Sequence, residues 1–286
     1  MDAWKKVATI PHSGISNQAG VLFDKRIISI GGLSNAVVVP YVGATADGSH
    51  LENTILAPTG FSARKQAVAC SFNERIFLTG GNDGSNTKDT VFTSENREIW
   101  QTLGKIPVAL QDHGMVSFLT PINVLAVMGG FDGRDYHNSI YTTVDGKNWK
   151  TMKVSGTQWS ARSGFGCIVY NKKLYVFGGF DGTNYLNDFW YTDNLIKWHK
   201  VDTVMPWSIR ANFGFCKWDE RMWLIGGNNV STSLKDVWFS RNGSKWTKGF
   251  DFPVVVKHTY ANEIDNRLHV FGGEGNETSI YKIILG

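Results

Sequence analysis

The chain has 286 residues, of which 42% are hydrophobic and 19% are charged, so it is long enough to bury a large core. Its formal net charge of +4 is small and no long run of lysine and arginine occurs, so nucleic-acid binding is not predicted. Stretches of about 18 apolar residues are absent, and no membrane span is predicted. Because residues 1–14 lack the apolar segment of a signal peptide, we expect a cytoplasmic protein.

Six apolar segments, each ending in a Gly-Gly pair, follow one another along the chain. The pairs begin at Gly31, Gly80, Gly129, Gly178, Gly226 and Gly272, at steps of 49, 49, 49, 48 and 46 residues. In four copies an aromatic residue follows twelve positions after the first glycine and a tryptophan follows twenty after it: Phe92 and Trp100, Tyr141 and Trp149, Trp190 and Trp198, Trp238 and Trp246. A period of about 40–50 residues is typical of a propeller or solenoid.

Each repeat is predicted to form four short strands. A first strand such as GFGCIVY leads through the tight turn Asn171-Lys172 to the apolar strand LYVF, which stops at the glycine pair. A third strand, NDFWYT, follows, and the fourth strand contains the tryptophan. Asp145-Gly146 and Asn242-Gly243 are hairpin turns between the third and fourth strands of other repeats. Four antiparallel strands connected by turns make one propeller blade.

The two ends of the chain depart from this pattern. The first repeat has Gly43 and Leu51 in place of the aromatic residue and the tryptophan, so we expect a loosely packed blade. In the last repeat Tyr281 stands nine residues after Gly272 and no fourth strand follows. Trp4 lies 27 residues before Gly31, within the spacing that separates the other tryptophans from the next glycine pair. An N-terminal strand is therefore predicted to complete the last blade.

The apolar strand ending in GG, the aromatic residue and the tryptophan together resemble the kelch repeat. The resemblance extends over essentially the whole chain and implies an all-β, six-bladed kelch-type β-propeller with four antiparallel strands in each blade. It implies a single domain over residues 1–286, with the ring closed by the strand around Trp4 in the blade formed by about residues 255–286. Kelch propellers serve as adaptors, scaffolds and enzymes, so the resemblance specifies the fold more closely than the function.

In such a blade the loop between the second and third strands and the segment between consecutive blades emerge on one face, which we call the loop face. The resemblance implies that ligands bind there. The candidate partner-binding residues on this face are Arg64, Asp112, His113, Arg134, Trp159, Arg162, Trp207, Arg210, Lys257 and His258. Four of them stand sixteen residues before a glycine pair. Guanidinium groups bind carboxylates bidentately, so the set is typical of a site for an acidic partner.

A structural role for the arginines is equally open. Ser-X-Arg recurs in three repeats and ends at Arg64, Arg162 and Arg210, which favours capping of loop carbonyl groups at the level of the repeat. Asp132, Asp135 and His137 in the loop FDGRDYH are residue types that bind metals. Equivalent loops contain a plain Asp-Gly turn, so a turn is predicted and no metal or other cofactor. The three cysteines are predicted to be buried, reduced thiols.

These features predict a non-catalytic protein-interaction or scaffold module whose partner presents an acidic segment to the loop face. One alternative is a sugar-acid-binding enzyme or lectin, similar to the kelch sialic acid mutarotases, in which the arginines hold a carboxylate and His113 or Glu274 moves protons. A structural component of a larger assembly is a second alternative. Neither nucleic acid nor a membrane is a predicted partner.

Overall fold

The computed structural model describes residues 4–9, 15–50, 52–274 and 279–283. All the regular secondary-structure elements in these ranges are β-strands, which confirms the predicted all-β class. None of the described segments forms a helix that is long and apolar enough to cross a membrane. Leu51, the predicted substitute for a tryptophan in the first repeat, lies outside the described residues.

The described residues form 27 strands. The first nine are β1 (Trp4–Thr9), β2 (Ile15–Ser16), β3 (Ala19–Phe23), β4 (Arg26–Ile30), β5 (Leu33–Ser34), β6 (Val37–Val38), β7 (Val42–Thr45), β8 (Glu52–Ile55) and β9 (Val68–Phe72). The next nine are β10 (Arg75–Thr79), β11 (Thr90–Ser94), β12 (Gln101–Lys105), β13 (Gly114–Thr120), β14 (Ile122–Met128), β15 (Ile140–Thr143), β16 (Lys150–Thr151), β17 (Gly166–Tyr170) and β18 (Lys173–Phe180). The last nine are β19 (Tyr185–Thr192), β20 (His199–Lys200), β21 (Gly214–Trp218), β22 (Arg221–Ile225), β23 (Val237–Ser240), β24 (Thr247–Lys248), β25 (Tyr260–Ile264), β26 (Arg267–Phe271) and β27 (Ser279–Ile283).

Among the described residues, six sheets have four strands and one has three. In chain order the four-stranded sheets are sheet 1 (β3, β4, β7, β8), sheet 2 (β9 to β12), sheet 3 (β13 to β16), sheet 4 (β17 to β20), sheet 5 (β21 to β24) and sheet 6 (β25, β26, β27, β1). All strand pairs within them are antiparallel. The small seventh sheet joins β2, β5 and β6 beside sheet 1. Each four-stranded sheet therefore corresponds to one repeat of the sequence.

The first strands of the six sheets lie next to one another in a cycle. Each contacts the first strand of the following sheet, and β25 contacts β3: β3, β9, β13, β17, β21, β25. The second strands are buried on both faces, and Ile76 and Leu78 of β10 are fully enclosed. Continuous apolar runs of strand length fit this position because both of their faces meet neighbouring layers.

The N-terminal strand β1 pairs with β27 in sheet 6. Trp4 is opposite Ile283, and Lys6 is opposite Tyr281. The indole of Trp4 is buried, packs edge-on against the ring of Phe252 at 5.1 Å and donates a hydrogen bond to the carbonyl oxygen of Phe250 at 3.1 Å. The sheet that contains the last repeat thus takes its fourth strand from the other end of the sequence.

Sheet 1 fills the space of its missing aromatic residue with Tyr41. The ring of Tyr41 is buried and occupies the volume that a side chain at Gly43 would need. Burial raises the pKa of its phenol to about 12. The expected loose packing therefore does not extend to this position, because a tyrosine two residues earlier in the chain supplies the bulk.

Five of the six glycine pairs connect their sheet to the next one by a backbone hydrogen bond. Gly178 and Gly179 have φ values of 60° and 102°, and the amide of Gly179 donates to the carbonyl oxygen of Arg210 at 2.8 Å. A Cβ on Gly178 would lie 3.0 Å from that oxygen and 2.8 Å from the ring of Phe213. Four equivalent hydrogen bonds follow: Gly32 to Arg64, Gly81 to Leu110, Gly130 to Arg162 and Gly227 to Val256. Glycine is needed because neighbouring atoms approach closely where φ is positive.

Candidate functional site on the loop face

The loop face contains the segments that lead into each sheet and the loops that follow each glycine pair. The leading segments are residues 56–67, 106–113, 152–165, 201–213 and 249–259. The loops after the glycine pairs include residues 82–89, 131–139, 181–184 and 228–236. Bridges join the two groups, as between Gln111 and Phe131 and between Ala211 and Asn228. Both groups therefore lie on one face, as the antiparallel order predicts.

A cyclic arrangement of six residues with positive φ surrounds the mouth of a central cavity of about 810 Å³. The six residues are Asn17, Gln66, Asp112, Gly164, Asn212 and His258. Five backbone hydrogen bonds of 2.7–3.0 Å connect them in order, each from the amide of one residue to the carbonyl oxygen of the one before. All six sheets are thereby tied together at the loop face.

Arg162 and Arg210 cap the carbonyl groups of their own sheets. Nη1 of Arg162 donates to the carbonyl oxygen of Gly178 at 2.9 Å, while Nε and Nη2 bind the carbonyl and hydroxyl oxygens of Ser160 at 3.0 and 2.9 Å. Arg210 binds Gly226 and Ser208 in the same way. Both arginines are 0% exposed. The Ser-X-Arg pattern is thus a capping motif in these sheets.

An aspartate completes the coordination of each of these guanidinium groups. Asp188 receives hydrogen bonds from Arg162 at 2.5 and 2.9 Å and from the indole nitrogen of Trp190 at 2.7 Å. Burial alone would raise the pKa of Asp188, but the hydrogen bonds and charge of Arg162 hold it below its usual value. Asp236 binds Arg210 and Trp238 in sheet 5 with the same geometry. All five N–H groups of each arginine therefore have acceptors within the protein.

Arg64 caps sheet 2 without an aspartate. Its Nη1 donates to the carbonyl oxygen of Gly80 at 2.8 Å, and its Cζ lies 4.4 Å from the centroid of Phe92. Only 2% of Arg64 is exposed, and burial lowers the pKa of its guanidinium to about 10. A cation–π contact with Phe92 takes the place of the ion pair in sheets 4 and 5.

His113 occupies the capping position of sheet 3 but reaches across to sheet 2. Its Nε2 lies 2.8 Å from Oγ1 of Thr79, and Nδ1 has no hydrogen-bond partner among the described residues. Burial lowers the pKa of His113 to about 3, so the imidazole is neutral at pH 7. His113 therefore differs from the arginines at the equivalent positions, which keep their positive charge.

The predicted binding residues separate into two groups by burial. Arg64, His113, Trp159, Arg162, Trp207 and Arg210 are at most 5% exposed and support the loops from inside. Asp112, Arg134, Lys257 and His258 have surface that a partner can touch, and the side chain of Arg134 is 90% exposed. The sequence left two interpretations of the arginines open, capping of loop carbonyl groups and contact with a partner. The buried positions agree with capping. Contact between the arginines and a partner stays a prediction.

Two polar clusters lie at the cavity mouth. In the first, Nε2 of Gln66 donates to Oδ2 of Asp112 at 2.5 Å, and burial raises the pKa of Asp112. In the second, Glu274 lies 2.8 Å from Nζ of Lys257 and 3.2 Å from Nδ1 of His258. His258 and Lys257 hold the pKa of Glu274 well below its usual range, although burial opposes them.

The loop FDGRDYH forms the turn that its sequence predicts. Oδ1 of Asp132 accepts hydrogen bonds from the backbone amides of Arg134 and Asp135, both at 2.7 Å. Its other oxygen lies 2.8 Å from Nε2 of His137. Asp181 makes the same pair of turn bonds in the next repeat. Within the ranges that the structure describes, no group of side chains is arranged to hold a metal ion.

A row of four half-buried aromatic rings crosses the loop face from sheet 3 to sheet 4, and we call it the aromatic row. Phe131 lies 4.8 Å from Tyr136, Tyr136 lies 5.8 Å from Phe180, and Phe180 lies 4.9 Å from Tyr185, between ring centroids. The hydroxyl of Tyr185 accepts a hydrogen bond from Nδ2 of Asn228 in the loop of sheet 5 at 2.8 Å. Three consecutive sheets thus contribute to one surface.

Comparison with protein-family models shows which family the chain belongs to. Residues 65–249 match the model of the KLHDC2/KLHL20/DRC7 Kelch-repeats domain, which is more than half of the sequence. The chain belongs to the kelch-repeat family. A comparison with curated proteins found no match to it. The kelch repeats recognised in the sequence are therefore confirmed, and with them the β-propeller fold.

Several structural residues of these kelch repeats were not identified from the sequence. Asp188 and Asp236 stand ten residues after the first glycine of their pairs and two before the aromatic residue, so Asp-X-Trp was a repeated signal. Tyr136 and Tyr185 both stand seven residues after the first glycine. All four residues are found when the repeats are aligned on their glycine pairs and residues at the same distance from the first glycine are compared.

The kelch propeller holds its three cysteines along the central cavity. Cys70, Cys167 and Cys216 are free thiols in the equivalent first strands β9, β17 and β21, and all three line the cavity. Cys167 and Cys216 are buried, whereas Cys70 is half-buried. Burial raises the pKa of all three thiols, that of Cys70 to about 12. They are small apolar side chains at neutral pH, as their strand positions predict.

Proposed function

We propose that this kelch domain is a non-catalytic protein-interaction module that binds its partner through the loop face. The aromatic row is the observation on which the proposal rests. Tyrosine and phenylalanine rings that are half-buried on a rigid frame give large contact areas with little loss of side-chain entropy, and aromatic residues are enriched at interface centres. Hydrogen-bonded turns at Asp132 and Asp181 hold the two loops that bear the rings.

We infer further that the six sheets form one closed, six-bladed ring within residues 1–286. Two observations support closure: β25 contacts β3, and β1 lies in the sheet of the last repeat. A closed ring keeps the loops of different sheets at fixed separations, so a partner that spans several loops meets a pre-formed surface. A pre-formed surface lowers the entropic cost of binding.

The arginines of the loop face are the reason that an acidic partner is predicted from the sequence. Arg162 and Arg210 each face a carboxylate, Asp188 or Asp236, so their charges are compensated inside the protein. An acidic partner then depends on the exposed Arg134 and on Lys257, which is itself paired with Glu274. The sugar-acid alternative needs unpaired guanidinium groups, and a thermal-shift screen with sugar acids tests it directly.

A cytoplasmic location stays part of the proposal. Its support is the three free cysteines, which line one cavity and are not cross-linked. Reduced thiols are typical of the cytosol, whereas secreted domains commonly use their cysteines in disulfides. Imaging of a tagged full chain in its host cell tests the location.

Selection from a random displayed-peptide library on the immobilised full chain tests the interaction proposal. Peptides should bind the wild type and lose at least about tenfold in affinity to the Phe180→Ala variant. The Leu119→Ala variant is the matched control, because Leu119 is a large exposed side chain (71%) beside the β13–β14 turn, on the opposite face. Peptides that bind all variants except Leu119→Ala would place the interaction on the wrong face and overturn the proposal.

A further inference from the structure

Two lysines face each other across the strand pair that brings the N-terminal strand into sheet 6. Lys5 of β1 is the register partner of Lys282 of β27, and Lys282 is also the partner of His269 of β26. Directly opposed residues of an antiparallel pair project from the same face of the sheet with their Cβ atoms about 5 Å apart, and like charges there destabilise the pair. The strand that completes sheet 6 is therefore held against electrostatic repulsion.

The lysine pair projects from the face of sheet 6 that packs against sheet 1. Ile280, two residues before Lys282, belongs to a buried cluster with Ile27 of β4. The imidazole of His269 is buried under the turn between β7 and β8, because a Cβ on Gly48 would clash with its Cδ2. The pair therefore lies at the boundary between the last and the first sheet, beside a turn on the side opposite the loop face.

A third cation, Arg267, stands two residues before His269 and projects from the same face. Nδ1 of His269 donates a hydrogen bond to the carbonyl oxygen of Arg267 at 3.1 Å. Burial lowers the pKa of His269, and the charges of Lys282 and Arg267 lower it further, whereas that hydrogen bond and the charge of Asp265 oppose them. Both cations thus act on the same buried imidazole.

The carboxylates near this face leave the cations unpaired. Asp47 in the neighbouring turn accepts a hydrogen bond from the hydroxyl of Ser49 at 2.6 Å and lies 2.9 Å from Nδ1 of His50. Asp265 is exposed in the turn between β25 and β26. Within the ranges that the structure describes, no ion pair forms to any of the three cations, Lys5, Arg267 and Lys282. An anion between the opposed lysines would relieve their repulsion.

We propose that Lys5, Lys282 and Arg267 form a binding site for a phosphate group. Such a group carries a charge of about −1.5 to −2 at pH 7 and three strong acceptor oxygens, so it takes hydrogen bonds from both lysines and the guanidinium together. A carboxylate has a single charge and leaves one lysine uncompensated. Binding of phosphate stabilises the pairing of β1 with β27. The inference is independent of the proposed function, because the site lies away from the loop face.

The test measures binding of inorganic phosphate to the isotope-labelled full chain. In the wild type, amide chemical-shift changes should concentrate at residues 5, 47–50, 267–269 and 282 and follow one dissociation constant. At about ten times that constant, phosphate should raise the melting temperature by about 2–4 °C over sodium chloride of equal ionic strength. The double variant Lys5→Gln with Lys282→Gln should lose at least about tenfold in phosphate affinity.

Lys6→Gln is the matched control, because Lys6 is exposed, adjoins Lys5 and pairs with Tyr281. This variant should keep the wild-type affinity, and a general stabilisation by phosphate would act on both variants alike. Without phosphate, the double variant should melt at or above the wild-type temperature, because the repulsion between the opposed lysines is gone. Equal phosphate affinity of the double variant and Lys6→Gln would overturn the proposal.

N-acetyl-phosphoserine amide and N-acetyl-aspartate amide distinguish the sources of the anion. Tighter binding of the phosphoserine amide than of inorganic phosphate assigns the site to a phosphorylated side chain of a partner, and the reverse order assigns it to the free ion. Aspartate amide that binds as tightly as phosphate would contradict the need for a second negative charge. If the double variant fails to fold, the chemical-shift map of the wild type decides, and changes confined to other parts of the chain would refute the site.

Discussion

Arg210 donates a hydrogen bond of 2.9 Å to the carbonyl oxygen of Gly226, sixteen residues further along the chain. The bond joins the segment that leads into sheet 5 to the end of its second strand. Arg162 and Gly178 repeat the relationship in sheet 4, and Arg64 and Gly80 repeat it in sheet 2. The recurring arginines of the sequence are therefore part of the frame that holds the loops.

Removing the aspartate of this network should destabilise the protein. Asp236→Asn leaves the buried guanidinium of Arg210 without its counter-charge, and we expect a loss of about 3–5 kcal/mol in the free energy of unfolding. Urea unfolding measures it. The exposed Asp193→Asn is the matched control and should change the free energy by less than about 0.5 kcal/mol. Equal stability of the two variants would contradict the account of the arginines as caps.

The tryptophans should differ in their contribution to stability. Trp198 is buried and packs edge-on against Trp159 at 5.8 Å, whereas Trp149 is only half-buried. Trp198→Ala should cost about 3–5 kcal/mol, as truncation of a buried aromatic side chain does, and Trp149→Ala should cost less. Chemical denaturation of the two variants and the wild type measures the difference. A larger loss for Trp149→Ala would mean that burial does not govern the packing of these blades.

The free energy of unfolding should decrease as the pH is lowered, because of His113. Its pKa is about 3 in the folded protein and about 6.5 when unfolded, so the unfolded chain binds the extra proton between these values. The free energy of unfolding should therefore decrease as pH is lowered from about 6.5 to 3, by at most about 1.4 kcal/mol per pH unit from this residue.

Urea unfolding of His113→Gln across this pH range isolates the effect, since glutamine cannot be protonated there. The variant should show a shallower slope than the wild type. His50→Gln is the control, because the side chain of His50 is 85% exposed. A slope that is unchanged in His113→Gln would show that the imidazole is not buried in its neutral form.

A chain that starts at residue 10 should be less stable and more prone to aggregation. The deletion removes β1, which exposes the edge of β27 and the pocket that holds Trp4. Thermal melting and light scattering measure the two effects. Trp4→Ala retains the strand and should lower the melting temperature without the same increase in scattering. Melting of the shortened chain at the wild-type temperature would refute the closed ring.

Much of this architecture could be read from the sequence because it depends on short-range rules that six repeats share. The glycine pairs mark the ends of the second strands in five sheets, since glycine accepts positive φ with a carbonyl oxygen close by, whereas β18 continues through its pair to Phe180. Asp132 and Asp181 recur in the same short turn, which is local as well. Trp4 was placed in the last sheet by counting residues to the next glycine pair, and β1 pairs with β27 there.

Burial and the pairing of charges were decided only by the tertiary structure. The sequence shows Arg162 and Asp188 26 residues apart, and only the packed sheet brings Nη1 within 2.5 Å of Oδ1. His113 follows the arginine spacing yet loses its charge, because its surroundings exclude water. Tyr136 and Phe180 belong to different repeats, and their rings come within 5.8 Å only in the folded protein. Periodicity determines which residues are equivalent, whereas solvation and contacts between sheets determine which of them a partner can reach.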